Sequence, residues 1–98
     1  MWISAILAIG LAGDLAVLWN ERGNAAYRRG DLAGAATAYE HALAAAGLPE
    51  RAAILSNLAA TDNRAGNHHR ALARYEASAE LRARIFGESH AETGLARN

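Results

Sequence analysis

Arg28-Arg29-Gly30-Asp31-Leu32-Ala33-Gly34-Ala35-Ala36-Thr37-Ala38-Tyr39-Glu40 returns 36 residues later as Arg64-Ala65-Gly66-Asn67-His68-His69-Arg70-Ala71-Leu72-Ala73-Arg74-Tyr75-Glu76. Arg, Gly, Ala, Tyr and Glu recur at positions 28, 30, 35, 39 and 40, and Asp31 meets Asn67, another good helix N-cap. Five identities are modest in an alanine-rich chain, but their kinds are informative. A glycine that can end a helix is followed by a cap, then a small residue, then an aromatic, in the same register both times. Outside the block, Gly23 meets Ala59 and Ala42 meets Ser78, small against small. A helix–turn–helix unit of this period is the mark of a stacked helical repeat.

Working outward, apolar residues at i, i+3, i+4 and i+7 spacing predict helices over 15–29, 32–46, 50–65 and 68–86. The first puts Leu15, Leu18, Trp19, Arg22 and Ala26 on one stripe, with Ala25 at its edge. The second aligns Leu32, Ala35, Ala36, Tyr39, Ala42 and Leu43. The third aligns Ile54, Leu55 and Leu58, then Ala59 and Asp62, and the fourth Ala71, Leu72, Tyr75, Ala79 and the pair Ile85-Phe86. Gly30-Asp31 and Gly66-Asn67 each end one helix and cap the next. Gly47-Leu48-Pro49 stops the second, with Pro49 suited to the first turn of the third. Breaks are also expected at Gly13-Asp14, with Asp14 as a cap, and at Gly87-Glu88. There Ser89-His90-Ala91-Glu92 reads as a capping box that opens a last short helix.

The composition agrees with an all-α chain and narrows its chemistry. Of 98 residues, 26 are Ala and 12 Leu, and Pro occurs once. Ala, Leu, Arg and Glu favour helix, and β-branched residues are few. The core must then rely on close helix contact more than on bulky side chains. There is no Cys, which removes disulfides and thiolate chemistry. Ten Arg balance ten Asp and Glu, there is no Lys, and the formal net charge is zero. That balance argues against a nucleic-acid partner, which would call for a basic surplus. The apolar run Trp2–Gly13 stops at Asp14 with no positive charge before it, too short for a membrane span and lacking a signal peptide's basic start. It reads as a buried helix, and the cytoplasm as the compartment.

With these residues in hand, the chain resembles the tetratricopeptide repeat (TPR) family, whose pattern places W-x₂-L-G-x₂-Y on one helix and A-x₃-F…A on the next. Trp19, Gly23, Ala35, Tyr39 and Ala42 fit in the first unit. Arg22 stands where Leu is usual, and Ala26 where Tyr is usual, with Tyr27 beside it. Leu55, Leu58, Ala59, Ala71, Tyr75 and Ser78 fit in the second, which lacks the Trp and the closing Pro. Phe86-Gly87, His90 and Thr93 resemble the repeat junction of kinesin-light-chain-type TPRs, with Ala91 in place of the usual Pro. The resemblance implies an α-solenoid of antiparallel helix pairs in a single domain, 1–98. Its parts would be an apolar helix at 2–13, a first repeat at 15–49, a second at 50–87 and a partial third at 89–98.

The same resemblance implies that the first helix of each unit lines a concave groove for an extended peptide. Carried over position by position, the groove takes Val17, Asn20, Asn24, Tyr27 and Arg28 from the first unit. From the second it takes Ala53, Ser56, Asn57, Ala60, Asn63 and Arg64. The expected peptide-binding set is Asn20, Asn24, Tyr27, Arg28, Asn57, Asn63 and Arg64, since Asn can hold backbone amides and Arg can pair carboxylates. Asn24 and Asn57 match the two Asn of the chaperone-binding carboxylate clamp. Asn20 stands where that clamp has its first Lys, and the cations of its third repeat are absent, so a chaperone-tail clamp is not expected.

No enzyme chemistry is legible. His41, His68, His69 and His90 lack converging metal-ligand spacing. No nucleophile elbow, paired buried carboxylates or phosphate loop occurs, and no cofactor is implied. Two functions remain: a module that binds a protein or peptide partner in the groove, or a scaffold that self-assembles, as a homodimer for instance, through its apolar terminal helices.

Overall fold

A computed structural model describes the backbone of residues 2–97 and the side chains of residues 13–87. Four helices follow one another: α1 (Trp2–Arg29), α2 (Leu32–Ala45), α3 (Leu48–Arg64) and α4 (His68–Arg97). Helix α1 packs on α2 and α3 on α4, while α2 lies against α3; α1 and α3 meet over a narrow contact. The slab is 18 Å thin, about two helix diameters. Its radius of gyration of 16.0 Å exceeds the roughly 12–13 Å of a compact domain this long, as an open stack of helix pairs requires.

The two tight turns that create the pairs are built alike. Gly30 and Gly66 have φ of +82° and +90°, the left-handed region that a side chain disfavours. Around Gly30, the Asp31 amide donates to the Ala26 carbonyl (2.9 Å) and the Gly30 amide to Tyr27 (3.0 Å). Around Gly66, the Asn67 amide donates to Asp62 (2.8 Å) and the Gly66 amide to Asn63 (3.1 Å). Both are Schellman caps, 36 residues apart, so the sequence repeat is a repeat of backbone geometry. The Asp31 carboxylate also accepts from the Gly34 amide (2.9 Å), capping α2 as its sequence position predicts. Pro49 lies in the first turn of α3, where no amide donor is missed. There Arg51 Nη1 donates to the Leu43 carbonyl (2.9 Å) and ties α3 to the end of α2.

The expected breaks at Gly13-Asp14 and Gly87-Glu88 do not form: α1 and α4 run through both glycines. An interior glycine costs a helix about 1 kcal/mol, which strong neighbouring helix formers outweigh unless a chain reversal brings new packing. The capping box at 89–92 and the apolar face of 2–12 lie outside the described side chains. A contrast follows. At Gly13 and Gly87 an added methyl meets nothing within 4 Å, so Gly→Ala at either is expected to stabilise by about 0.5–1 kcal/mol. At Gly30 or Gly66 the same change is expected to cost about 1–2 kcal/mol. Urea unfolding of the four variants reads both signs; four equal effects would contradict the helix continuity.

The core is assembled from small residues and a few large ones. Ala26, Ala35, Tyr39, Ala42, Ile54 and Leu58 form its buried centre, with Trp19, Tyr27, Ala36, Leu43 and Ala46 packed around it. Full burial of Ile54 and Leu58 is worth about 1.5–3 kcal/mol each. The expected stripe on α1 is corrected. Leu15, Leu18 and Arg22 are exposed, whereas Ala16, Gly23 and Ala26 are buried. Close approach of α1 to α2 selects small side chains at the contact line, so the bulkier leucines turn outward. On α4, Ala71 and Ser78 are buried, but Leu72, Tyr75, Ala79 and Phe86 are exposed. Tyr39 is covered by the helices around it; Tyr75, its counterpart, has no such cover.

A cleft between the first helices

The first helix of each pair contributes to a cleft of about 290 Å³, lined by Ala16, Val17, Asn20, Glu21 and Asn24 of α1 and Glu50, Ala53 and Ile54 of α3. Its lining comprises four apolar residues, two asparagines and two glutamates. Four residues of the expected groove, Val17, Asn20, Asn24 and Ala53, line it. The others lie outside it.

The asparagines are held by other side chains. The Tyr39 hydroxyl donates to Asn24 Oδ1 (2.5 Å), and Asn57 Nδ2 donates to Asn20 Oδ1 (3.1 Å). Each cleft asparagine has its carbonyl oxygen occupied and keeps amide N–H groups to donate. The Tyr39 hydroxyl has a pKa raised above the ordinary 10.0. Burial is the main cause and Tyr27 adds to it, while Arg28 pulls the other way.

The expected cationic end of the groove is arranged otherwise. Arg64 stacks its guanidinium over the Tyr27 ring (4.8 Å to the centroid) and donates from Nη1 to the Tyr27 carbonyl (2.7 Å). It braces the last turn of α1 by adding a second donor to a carbonyl that already accepts from the Gly30 amide. Arg28 is exposed with no ion pair among the described residues. Asn63 Oδ1 pairs with His68 Nδ1 (2.6 Å) across the α3–α4 turn. Ser56 faces α4, where its hydroxyl shares a bond with Ser78 (2.8 Å), and Ser78 donates to the Ala52 carbonyl (2.7 Å). Ser56 therefore belongs to the helix-pair contact.

The groove pattern misses four cleft residues, Ala16, Ile54 and the two charged ones, Glu21 and Glu50. Glu50 sits in the first turn of α3, where a carboxylate suits the helix dipole, and this hides any second role. Glu21 directly follows Asn20 and falls off the stripe used to place the groove. On the far side of α1, Trp19 stacks on His41 (4.5 Å between centroids) and carries Arg22 over its ring (5.0 Å). That packing explains an Arg where the repeat pattern has Leu. Among the described residues no group of His, Asp and Glu could hold a metal ion, and no helix is long and apolar enough to cross a membrane.

Residues 51–92, spanning most of α3 and α4, match the family model described as a tetratricopeptide repeat. The chain is an all-α, TPR-like helical repeat. No curated protein and no solved structure matches it significantly. The TPR match covers less than half of the chain; outside it, the pair α1–α2 carries the same Schellman cap and the same Tyr, Ala and Gly register. TPR units generally mediate protein–protein interaction and are a non-enzymatic fold.

Proposed function

We propose that this TPR-like chain is a non-enzymatic protein-interaction module that takes an extended segment of a protein partner in the α1–α3 cleft. Its units are read as 15–49 and 50–87, with the kinesin-light-chain-like junction following the second. The observation that carries the reading is the cleft itself. Ala16, Val17, Ala53 and Ile54 make part of its lining apolar, and Asn20 and Asn24 are fixed beside them with amide donors to spare. An extended peptide presents carbonyls at regular intervals, which such donors suit. Arg28, exposed one turn beyond Asn24, extends the face; Tyr27, Asn57, Asn63 and Arg64 support it through the contacts described.

The test is to fill the cleft without touching the core. Ala53 is exposed on the cleft wall, so Ala53→Trp is expected to abolish co-purification of the partner from the native host. Helicity and melting temperature should stay within error. Retained partner with a folded variant would remove the cleft from consideration.

A second reading, self-assembly through the ends of the stack, is favoured by one observation: α4 exposes Leu72 and Tyr75 on its outer side. Burial of a few hundred Å² there would be worth several kcal/mol at about 25 cal/mol per Å². Light scattering at high micromolar concentration decides it. A dimer that Leu72→Glu dissociates is the expected result on this reading, and a strict monomer ends it.

A further inference from the structure

We infer that the segment seated in the cleft carries a basic side chain, with an Arg or Lys placed between Glu21 and Glu50. This rests on the cleft reading above and adds the chemistry of the partner. Glu21 on α1 and Glu50 on α3 line the same small cleft from opposite walls, and neither makes an ion pair among the described residues. The acidic side chains Asp31, Glu40 and Asp62 do have arginine partners elsewhere in the fold. No Arg lines the cleft: Arg28 lies one turn beyond Asn24, Arg64 is held by the Tyr27 ring and carbonyl, and Arg74 by Asp62 and Glu40. The polar groups therefore divide by role. Asn20 and Asn24, their carbonyl oxygens already occupied, offer donors that require carbonyl acceptors. The two carboxylates accept only, and require a donor that is best charged. A peptide backbone with a cationic side chain meets both demands. An acidic segment would meet only the first and would place like charges beside Glu21 and Glu50. The dipole of α3 gives Glu50 a role of its own but leaves Glu21, in the middle of α1, without one.

The experiment uses the full chain and two fluorescein-labelled peptide pools of about seven residues, capped at both ends, long enough to cross the cleft when extended. One pool fixes Arg at the centre and the other Glu, with Ala, Gly, Ser and Asn elsewhere. In fluorescence anisotropy the Arg pool is expected to bind about tenfold tighter than the Glu pool, the scale of one charge-assisted hydrogen bond. The preference should shrink as salt rises. The double variant Glu21→Gln/Glu50→Gln, checked for unchanged helicity, should abolish the preference, and Ala53→Trp should abolish binding of both pools. If the Glu pool binds as well as the Arg pool and Ala53→Trp still blocks it, the cleft reading stands and the basic-partner inference is overturned. An Arg preference that survives the double variant overturns the inference in the same way. If neither pool binds, or binding ignores Ala53→Trp, the cleft reading falls and the inference falls with it.

Discussion

Replacing Arg74 with Ala is expected to cost about 3–5 kcal/mol, the scale of breaking a buried ion pair from one side. The Asp62 side chain is only 5% exposed, and Arg74 donates to its Oδ2 while reaching Glu40 of α2 at 3.5 Å. One arginine on α4 thus links α3 and α2. The Glu40 contact is more than half exposed and worth at most about 0.5 kcal/mol. Asp62 dominates, because without Arg74 a carboxylate would stay buried and unpaired. A domain of this length has about 5–15 kcal/mol of stability, so the loss removes a large share of it. At about 4–8 °C per kcal/mol, Tm should fall by about 12–40 °C.

The repeat supplies the control. Under the 36-residue shift, Asp62 and Arg74 occupy the positions of Ala26 and Ala38, both buried in the first pair. The double variant Asp62→Ala/Arg74→Ala rebuilds in α3–α4 the combination that α1–α2 already uses. It is expected to recover most of the stability lost in Arg74→Ala, giving a coupling of about 2–3 kcal/mol in a double-mutant cycle. A cost below about 1 kcal/mol for Arg74→Ala alone would show that water reaches Asp62 and that the pair is ornamental.

The Asp62–Arg74 pair is not legible in the sequence. Asp62 lay on the expected stripe of α3, yet nothing local indicated its partner, because Arg74 belongs to the next helix and the pairing depends on how α3 and α4 cross. The turns were legible for the opposite reason: Gly30-Asp31 and Gly66-Asn67 are local, and each turn is reinforced by the helix pair it creates. Gly13 and Gly87 carry the same residue, and there the cost of an interior glycine was too small to end a helix. Leu15 and Leu18 misled because hydrophobicity favours large side chains, whereas the α1–α2 contact favours small ones. In the cleft, Asn20 and Asn24 were found because the repeat pattern names their positions. Glu21 and Glu50 were missed because they become neighbours only when α1 and α3 are set side by side.

The joint between Gly23 and Tyr39 gives the second large effect, and it carries a change of sign. Tyr39 is 2% exposed at the centre of the core, so Tyr39→Ala is expected to cost about 3–5 kcal/mol. A methyl added at Gly23 would lie 2.5, 2.6 and 2.9 Å from Cε1, Cδ1 and Cζ of that ring. The ring is boxed in by the core and held through its hydroxyl by Asn24, so it cannot swing aside freely. Gly23→Ala alone therefore pays about 1–3 kcal/mol of overpacking against about 1 kcal/mol gained in helix propensity, and should destabilise. In the Tyr39→Ala background the ring is gone, and the same substitution should stabilise by about 1 kcal/mol. Equilibrium unfolding of the four chains measures the reversal, and a Gly23→Ala effect of one sign in both backgrounds would disprove close packing at the joint. Tyr39→Phe separates core from cleft. It keeps the ring and loses the bond to Asn24, a cost of about 1 kcal/mol. It also frees Asn24 to turn, so peptide capture should weaken in a chain that remains folded, linking the core aromatic of the repeat to the side chain it holds in the cleft.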